Sequence, residues 1–258
     1  MTAGTETATP TPAHTATGEH ARGRVRVEPG LKRVRAYLGG ELVADTKHPV
    51  LVWENPHFPA YYIPAADVRA TLTENGKTTR SPSRGDATRF DVTVAGQRAE
   101  DAAWTHAQSP LPELRELVRF DWDAMDEWLE EDEPVFVHPR SPYARVDILA
   151  ASRQVRVVVD GVTVAETDRP TILYETGLPP RYYLRLTEVR TELLRPSDTV
   201  THCPYKGTAT YKSLDLAGTV HEDVLWTYRS PLFESMKIAG LVCFYPDRAE
   251  IYVDGERI

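Results

Sequence analysis

The residues best suited to chemistry stand together at 201–207, Thr201-His202-Cys203-Pro204-Tyr205-Lys206-Gly207. They bring an imidazole, a thiol, a phenol and an ammonium into one short loop, groups that serve as nucleophile, acid, base or anion contact. Lys206 and His202 could lower the pKa of Cys203 and raise its reactivity. Successive side chains on an extended chain point to opposite sides, however, so His202 is poorly placed as a base for Cys203. A free cysteine in such a loop is also commonly a small packing residue. General acid–base work by Glu175, Lys206 or Tyr205 therefore fits better than covalent chemistry.

The loop sits inside a duplication. Residues 34–69 align without a gap to residues 155–190 at an offset of 121, and 13 of the 36 positions are identical: Val34, Arg35, Gly40, Val43, Ala44, Thr46, Pro49, Glu54, Pro59, Tyr61, Tyr62, Val68 and Arg69 with their counterparts. Glu54 thus recurs as Glu175, and Arg69 as Arg190. The first copy's counterpart of the loop is Thr79-Arg80-Ser81-Pro82-Ser83-Arg84-Gly85, which keeps Pro, Gly and a cation but has no thiol, phenol or imidazole. A Glu–cation pair shared by both copies reads either as structural, because a half-buried carboxylate needs a partner, or as ligand-contacting. The side chains found only in the second copy favour that copy as the functional one.

Alternation assigns faces around the loop. Tyr182, Leu184 and Leu186 share one face, matched by Tyr61 and Ile63, and read as core. Arg181, Tyr183 and Arg185 share the other, which makes Tyr183 the ligand-binding candidate. Arg190 reads as a structural clamp or an anion contact. Trp226, shared with Trp104, reads as core, and Tyr228, in place of His106, as a residue at a pocket mouth. The ligand-binding set is Tyr183, Arg190, Cys203, Tyr211 and Tyr228, around a catalytic set of Glu175, Lys206 and Tyr205.

The elements that must position these residues are short strands. Val155, Val157 and Val159 alternate before Asp160-Gly161, and Val162 and Val164 follow it, a hairpin pattern that Gly39-Gly40 repeats in the first copy. Ala95-Gly96 and Ala217-Gly218 mark a later turn. The expected fold is all-β with minor α, two small antiparallel barrels in tandem. The expected divisions are a disordered tail at 1–22, a first repeat at 23–133, a connector at 134–152 and a second repeat at 153–258. The first repeat is expected to end in a short acidic helix, because Trp122, Met125, Trp128 and Leu129 fall at helical spacing within 121–133. His138, Arg140 and Arg145 of the connector read as braces between the domains.

Composition limits the partners. The net charge of −8 is concentrated in 121–133, which holds eight carboxylates and no basic residue, so the remainder is near neutral and gives nucleic-acid binding little electrostatic support. No apolar run reaches the length of about 18 residues needed to span a membrane. The start of the chain lacks a basic and then apolar leader, and the two cysteines form no framework, which together suggest a cytoplasmic protein. No CxxC pair, histidine ligand spacing, Gly-rich phosphate loop or GxSxG elbow is present, so neither a metal nor a cofactor is expected.

The motif order of the second copy, GVTVAET, YETGLPPRYYL, EVR, THCPYKGTATY, LWTYRSPL and LVCFYPDRAEIYVDG, resembles the family catalogued as domain of unknown function 427. The first copy resembles it with a degraded CPYKG element, and HPRSPYARVDIL resembles the join of its two-domain actinobacterial members. The resemblance implies a β-tent domain, similar in shape to methionine sulfoxide reductase B and the ligand-binding domain of cereblon. It brings no zinc, since the paired cysteines of those relatives are lacking, and no nucleotidyltransferase chemistry, since the spaced metal-binding aspartates are lacking too. The reading reached is a small-molecule-binding protein with a polar, aromatic pocket in the second repeat, and with acid–base catalysis within its means. The alternative is a non-catalytic interaction module that docks a protein partner through its aromatic residues and 121–133.

Overall fold

The computed structural model describes residues 25–258, and the segment read as a disordered tail lies outside them. Each half is built from two antiparallel sheets. In the second half a seven-stranded sheet runs, edge to edge, Val146–Ala150, Thr171–Glu175, Arg181–Leu184, Val242–Phe244, Thr219–Thr227, Gly207–Leu216 and Leu194–Cys203. A four-stranded sheet of Val162–Thr167, Val155–Val159, Glu250–Val253 and Glu256–Arg257 packs on one face of it. The first half repeats both sheets in the same order. The sheets are not closed into barrels, which corrects the barrel expectation and leaves the open two-sheet arrangement of a tent. The edge strand Val146–Ala150 lies within the range read as connector and pairs with Thr171–Glu175.

Turn chemistry explains the hairpins. Asp160 and Gly161 take φ of 47° and 76°, the two left-handed conformations that a two-residue turn between twisted strands requires. Between the sheets lies an aliphatic core in which Val155, Val157 and Val159 meet Leu184, Leu214, Leu225 and Phe244. On the opposite face of the large sheet is a different cluster, Tyr183, Tyr211, Trp226, Tyr228 and Cys243. Neighbouring residues on one strand thus serve the two faces: Leu184 the aliphatic core, Tyr183 the aromatic cluster.

The expected acidic helix is a strand. Glu127–Glu130 pairs antiparallel with Val34–Leu38, and Glu133–Pro134 returns on it through a turn at Glu131 with φ 50°. Trp128 and Glu130 are buried while Glu127 is exposed, a period of two rather than 3.6. Trp122 stacks on Trp128 at 4.8 Å from a turn, which is how helical spacing arose without a helix. The second half ends the same way, with Glu250–Val253 on Val155–Val159 and a turn at Asp254.

The connector lies between the halves. His138 stacks on Phe58 of the first at 3.8 Å and approaches Tyr205 of the second at 6.2 Å. The Ser141 N–H donates to the Tyr205 hydroxyl at 2.7 Å, and the Tyr143 hydroxyl donates to Glu28 at 2.7 Å. Arg26 lies over the Tyr143 ring at 3.9 Å. Burial lowers the pKa of His138 from its ordinary value of 6.5. The unfolded chain therefore binds a proton that the folded one refuses, and stability falls as pH drops through about 6.5. Denaturant titrations between about pH 7 and pH 5 should show that fall, and His138→Gln should make it shallower. An unchanged slope in the variant would remove His138 from the account.

Candidate functional site

Glu175 closes the strand Thr171–Glu175, and its end is fixed by the connector, where the Thr176 N–H donates to the Arg145 carbonyl at 3.0 Å. The CPYKG turn joins Leu194–Cys203 to Gly207–Leu216. Its backbone is anchored twice, by the Leu232 N–H on the Lys206 carbonyl at 3.1 Å and by the Ser235 hydroxyl on the Tyr205 carbonyl at 3.1 Å. Gly207 leaves the turn at φ 93°, a conformation that a side chain would strain. This path brings Lys206 Nζ to 2.5 Å from Glu175 Oε2, with only 12% and 10% of the two side chains exposed.

The other sequence-derived residues fall into three groups. Tyr205, at the junction, accepts the Ser141 N–H. Tyr183, Tyr211 and Tyr228 are buried beneath the loop. The Tyr183 hydroxyl accepts from Trp226 Nε1 at 3.2 Å, and the Tyr211 hydroxyl meets Thr201 Oγ1 at 2.8 Å and the Tyr245 hydroxyl at 3.1 Å. Burial pushes the Tyr183 and Tyr228 phenols far above their usual value of 10.0. At neutral pH they are hydrogen-bonding groups, not bases. Arg190 is the exception: its exposed side chain pairs with Glu192 at 2.8 Å, and its N–H caps Val164 of the small sheet. It does not join the cluster. His202 turns outward to Thr208 and stacks on Phe136 of the connector, as alternation required.

Tyr245 and Lys237 escaped the sequence reading, and Arg181 was placed on the face of Tyr183 without a role. Tyr245 packs on Trp226 at 4.4 Å and stacks with Tyr211. The alternation Leu241, Cys243, Tyr245 across the strand Val242–Phe244 and its two flanking residues carried that signal. Arg181 lies over Trp226 at 5.7 Å. Lys237 reaches the Ile148 carbonyl at 3.1 Å from the short helical segment Phe233–Ile238 that covers the cluster.

The first half holds the same pair in altered company. Glu54 lies 3.9 Å from Arg84 and 3.3 Å from Arg119, and accepts the Tyr62 hydroxyl at 2.7 Å. Register places Arg119 opposite Tyr62 and Trp104, where Cys243 stands opposite Tyr183 and Trp226. By the same pairing, Arg89 replaces Tyr211. One half is aromatic where the other is charged.

Two cavities open where the first half meets the connector. One of about 80 Å³ is lined by Glu54, Phe58, Arg119, Trp122 and His138. The other, of about 300 Å³, lies among Lys32, Leu51, Tyr61, Glu130, Arg140 and Tyr143. Neither is lined by the cluster of the second half. Four of the eight carboxylates of the acidic segment have partners elsewhere in the molecule, though only Glu130 is buried: Asp126 accepts the Gly39 N–H, Glu130 binds Tyr61 and Lys32, Glu131 accepts the Arg33 N–H and Asp132 pairs with Arg35.

The thiols differ in a measurable way. Cys203 is partly exposed, whereas Cys243 is buried and its pKa is pushed up to about 12 by burial. An alkylating reagent at neutral pH should modify Cys203 in the native protein and reach Cys243 only after denaturation. Equal native rates would contradict the burial of Cys243.

A comparison with curated proteins finds no match. A family model, by contrast, matches residues 26–131 and again 147–255, one match to each half. The chain therefore belongs to the family described as a domain of unknown function (DUF427), whose unit it carries twice.

Proposed function

We propose that the protein binds a small polar or carboxylated molecule at the second half, where Glu175, Lys206 and Tyr205 make contact and supply acid–base chemistry. The supporting observation is the Glu175–Lys206 pair itself, at 2.5 Å and nearly shielded from water. Around it stand Tyr205, Tyr211, Tyr228 and Cys203, in whose places the first half has no phenol or thiol. A shielded ion pair can hand a proton either way when a polar ligand replaces one partner: the carboxylate accepts, the ammonium donates. The Tyr205 hydroxyl, already accepting from Ser141, keeps its own proton to donate. Cys203 lines the approach, and Tyr228, read from the sequence as a residue of the pocket mouth, is buried with Tyr183 and Tyr211 in the floor. Arg190, paired with Glu192, contributes to the surface of the small sheet instead. A cytoplasmic location fits this reading.

The pair has a stability signature. Lys206→Ala leaves a carboxylate buried without its cation and should destabilise the fold by about 3–5 kcal/mol. The double variant Glu175→Gln/Lys206→Met removes both charges together and should cost much less, which urea melts will show. Equal losses in the two variants would mean that the pair is too well hydrated to matter.

The double variant then serves as the functional test, because it removes the pair without stranding a charge. Native mass spectrometry after incubation with a metabolite extract should find a small polar adduct on the wild type and none on the variant. The same adduct on both proteins, or none on either, would sink the reading.

A further inference from the structure

The cavity of about 300 Å³ is twice the roughly 150 Å³ of an engineered cavity that holds benzene. One side is apolar, with Leu31, Val34, Pro49 and Leu51 in the wall. The other side is charged, and its charges are unevenly satisfied. Glu130 accepts from Tyr61 and from Lys32 Nζ at 2.5 Å. Glu28 accepts from Tyr143 at 2.7 Å and from Arg26 at 2.6 Å. Lys32 is thereby paired as well. Arg140 is left over. Its Nε is buried without a hydrogen-bond partner, and among the described residues no carboxylate lies within ion-pairing distance of its guanidinium.

A guanidinium carries five donors and no acceptor, so what completes Arg140 must be an acceptor, best a planar anion. Arg140 is half-buried with only its Nε enclosed, and among the described residues no carboxylate of the wall pairs with it, so its two outer nitrogens are left to take an anion. We propose that this cavity binds a small organic carboxylate, with its planar head on the Arg140 fork and its apolar body against Leu51 and Val34. Planar fork-to-fork pairing suits a carboxylate better than a spherical anion. The apolar wall excludes a purely inorganic one. Glu130, held by Tyr61 and Lys32, also lines the cavity and repels a second negative charge, so the ligand is a monoanion. The site lies outside the Glu175–Lys206 cluster and stands or falls independently of it.

The test uses the full-length protein with 2-naphthoate and its neutral analogue 2-naphthamide, titrated by calorimetry. The wild type should bind 2-naphthoate roughly 10- to 100-fold more tightly than 2-naphthamide, the range for a charge-assisted hydrogen bond. Arg140→Met should abolish that preference and Arg140→Lys retain part of it. Glu175→Gln/Lys206→Met should bind as the wild type does. No binding of 2-naphthoate by the wild type, equal affinity for acid and amide, or full affinity in Arg140→Met would each overturn the proposal. The comparison of acid with amide on the wild type needs no variant to fold.

Discussion

Glu54 and Glu175 occupy the same place in the two halves, at the end of a strand beside a turn that must deliver a cation. In the second half the demand is met by Lys206 at 2.5 Å, in the first by Arg119 at 3.3 Å and Arg84 at 3.9 Å. A carboxylate this shielded needs a cation beside it. The turn must therefore hold one path, and that requirement explains what it keeps in both copies: a proline, a glycine leaving at positive φ, and a cation between them. The Leu232 and Ser235 bonds to the turn's carbonyls, and the Ser141 bond to Tyr205, brace it further. The pair thus organises the loop, and the loop organises the contact between the halves.

Duplication shows what that constraint leaves free. Around a constant carboxylate, the second half places Tyr211, Tyr228 and Cys243 where the first places Arg89, His106 and Arg119. The aromatic set removes the second cation, so Lys206 bears the whole charge of Glu175. In the first half two guanidiniums share one carboxylate, and Arg89 and Arg119 spread over the faces of Trp104 at 4.3 and 4.4 Å instead. The same frame thus supports a neutral floor in one half and a cationic one in the other, and ligands of different charge would distinguish them.

Local signals were legible in the sequence and long-range ones were not. The Asp160-Gly161 turn, the opposite faces of Tyr182 and Tyr183, and the Glu175–Lys206 pair each follow from spacing over a few residues or from comparing the copies. The segment 121–133 misled because its spacing satisfied a helix, while pairing with Val34–Leu38, some ninety residues away, made it a strand. No local pattern records such a partner. For Arg190 the recurrence as Arg69 was visible in the sequence, but its place against Val164 of the small sheet was not. Tyr245 was within reach, since alternation along Leu241–Tyr245 puts it beside Cys243.

The connector shows where sequence comparison stops being a guide. It has no copy within the chain, so duplication says nothing about it, and its residues read as mere braces. Three of them do brace: His138 on Phe58, Ser141 on Tyr205, Tyr143 on Glu28. Arg140 lies between them and braces nothing. Its stem lies beside an apolar wall while only its Nε is enclosed, which leaves the outer edge of the guanidinium to an acceptor that the fold does not supply. If the role were only to fill space, a leucine or methionine would do so at lower cost. An unpaired guanidinium is therefore better understood as half of an interaction, completed by an anion that comes from outside the fold.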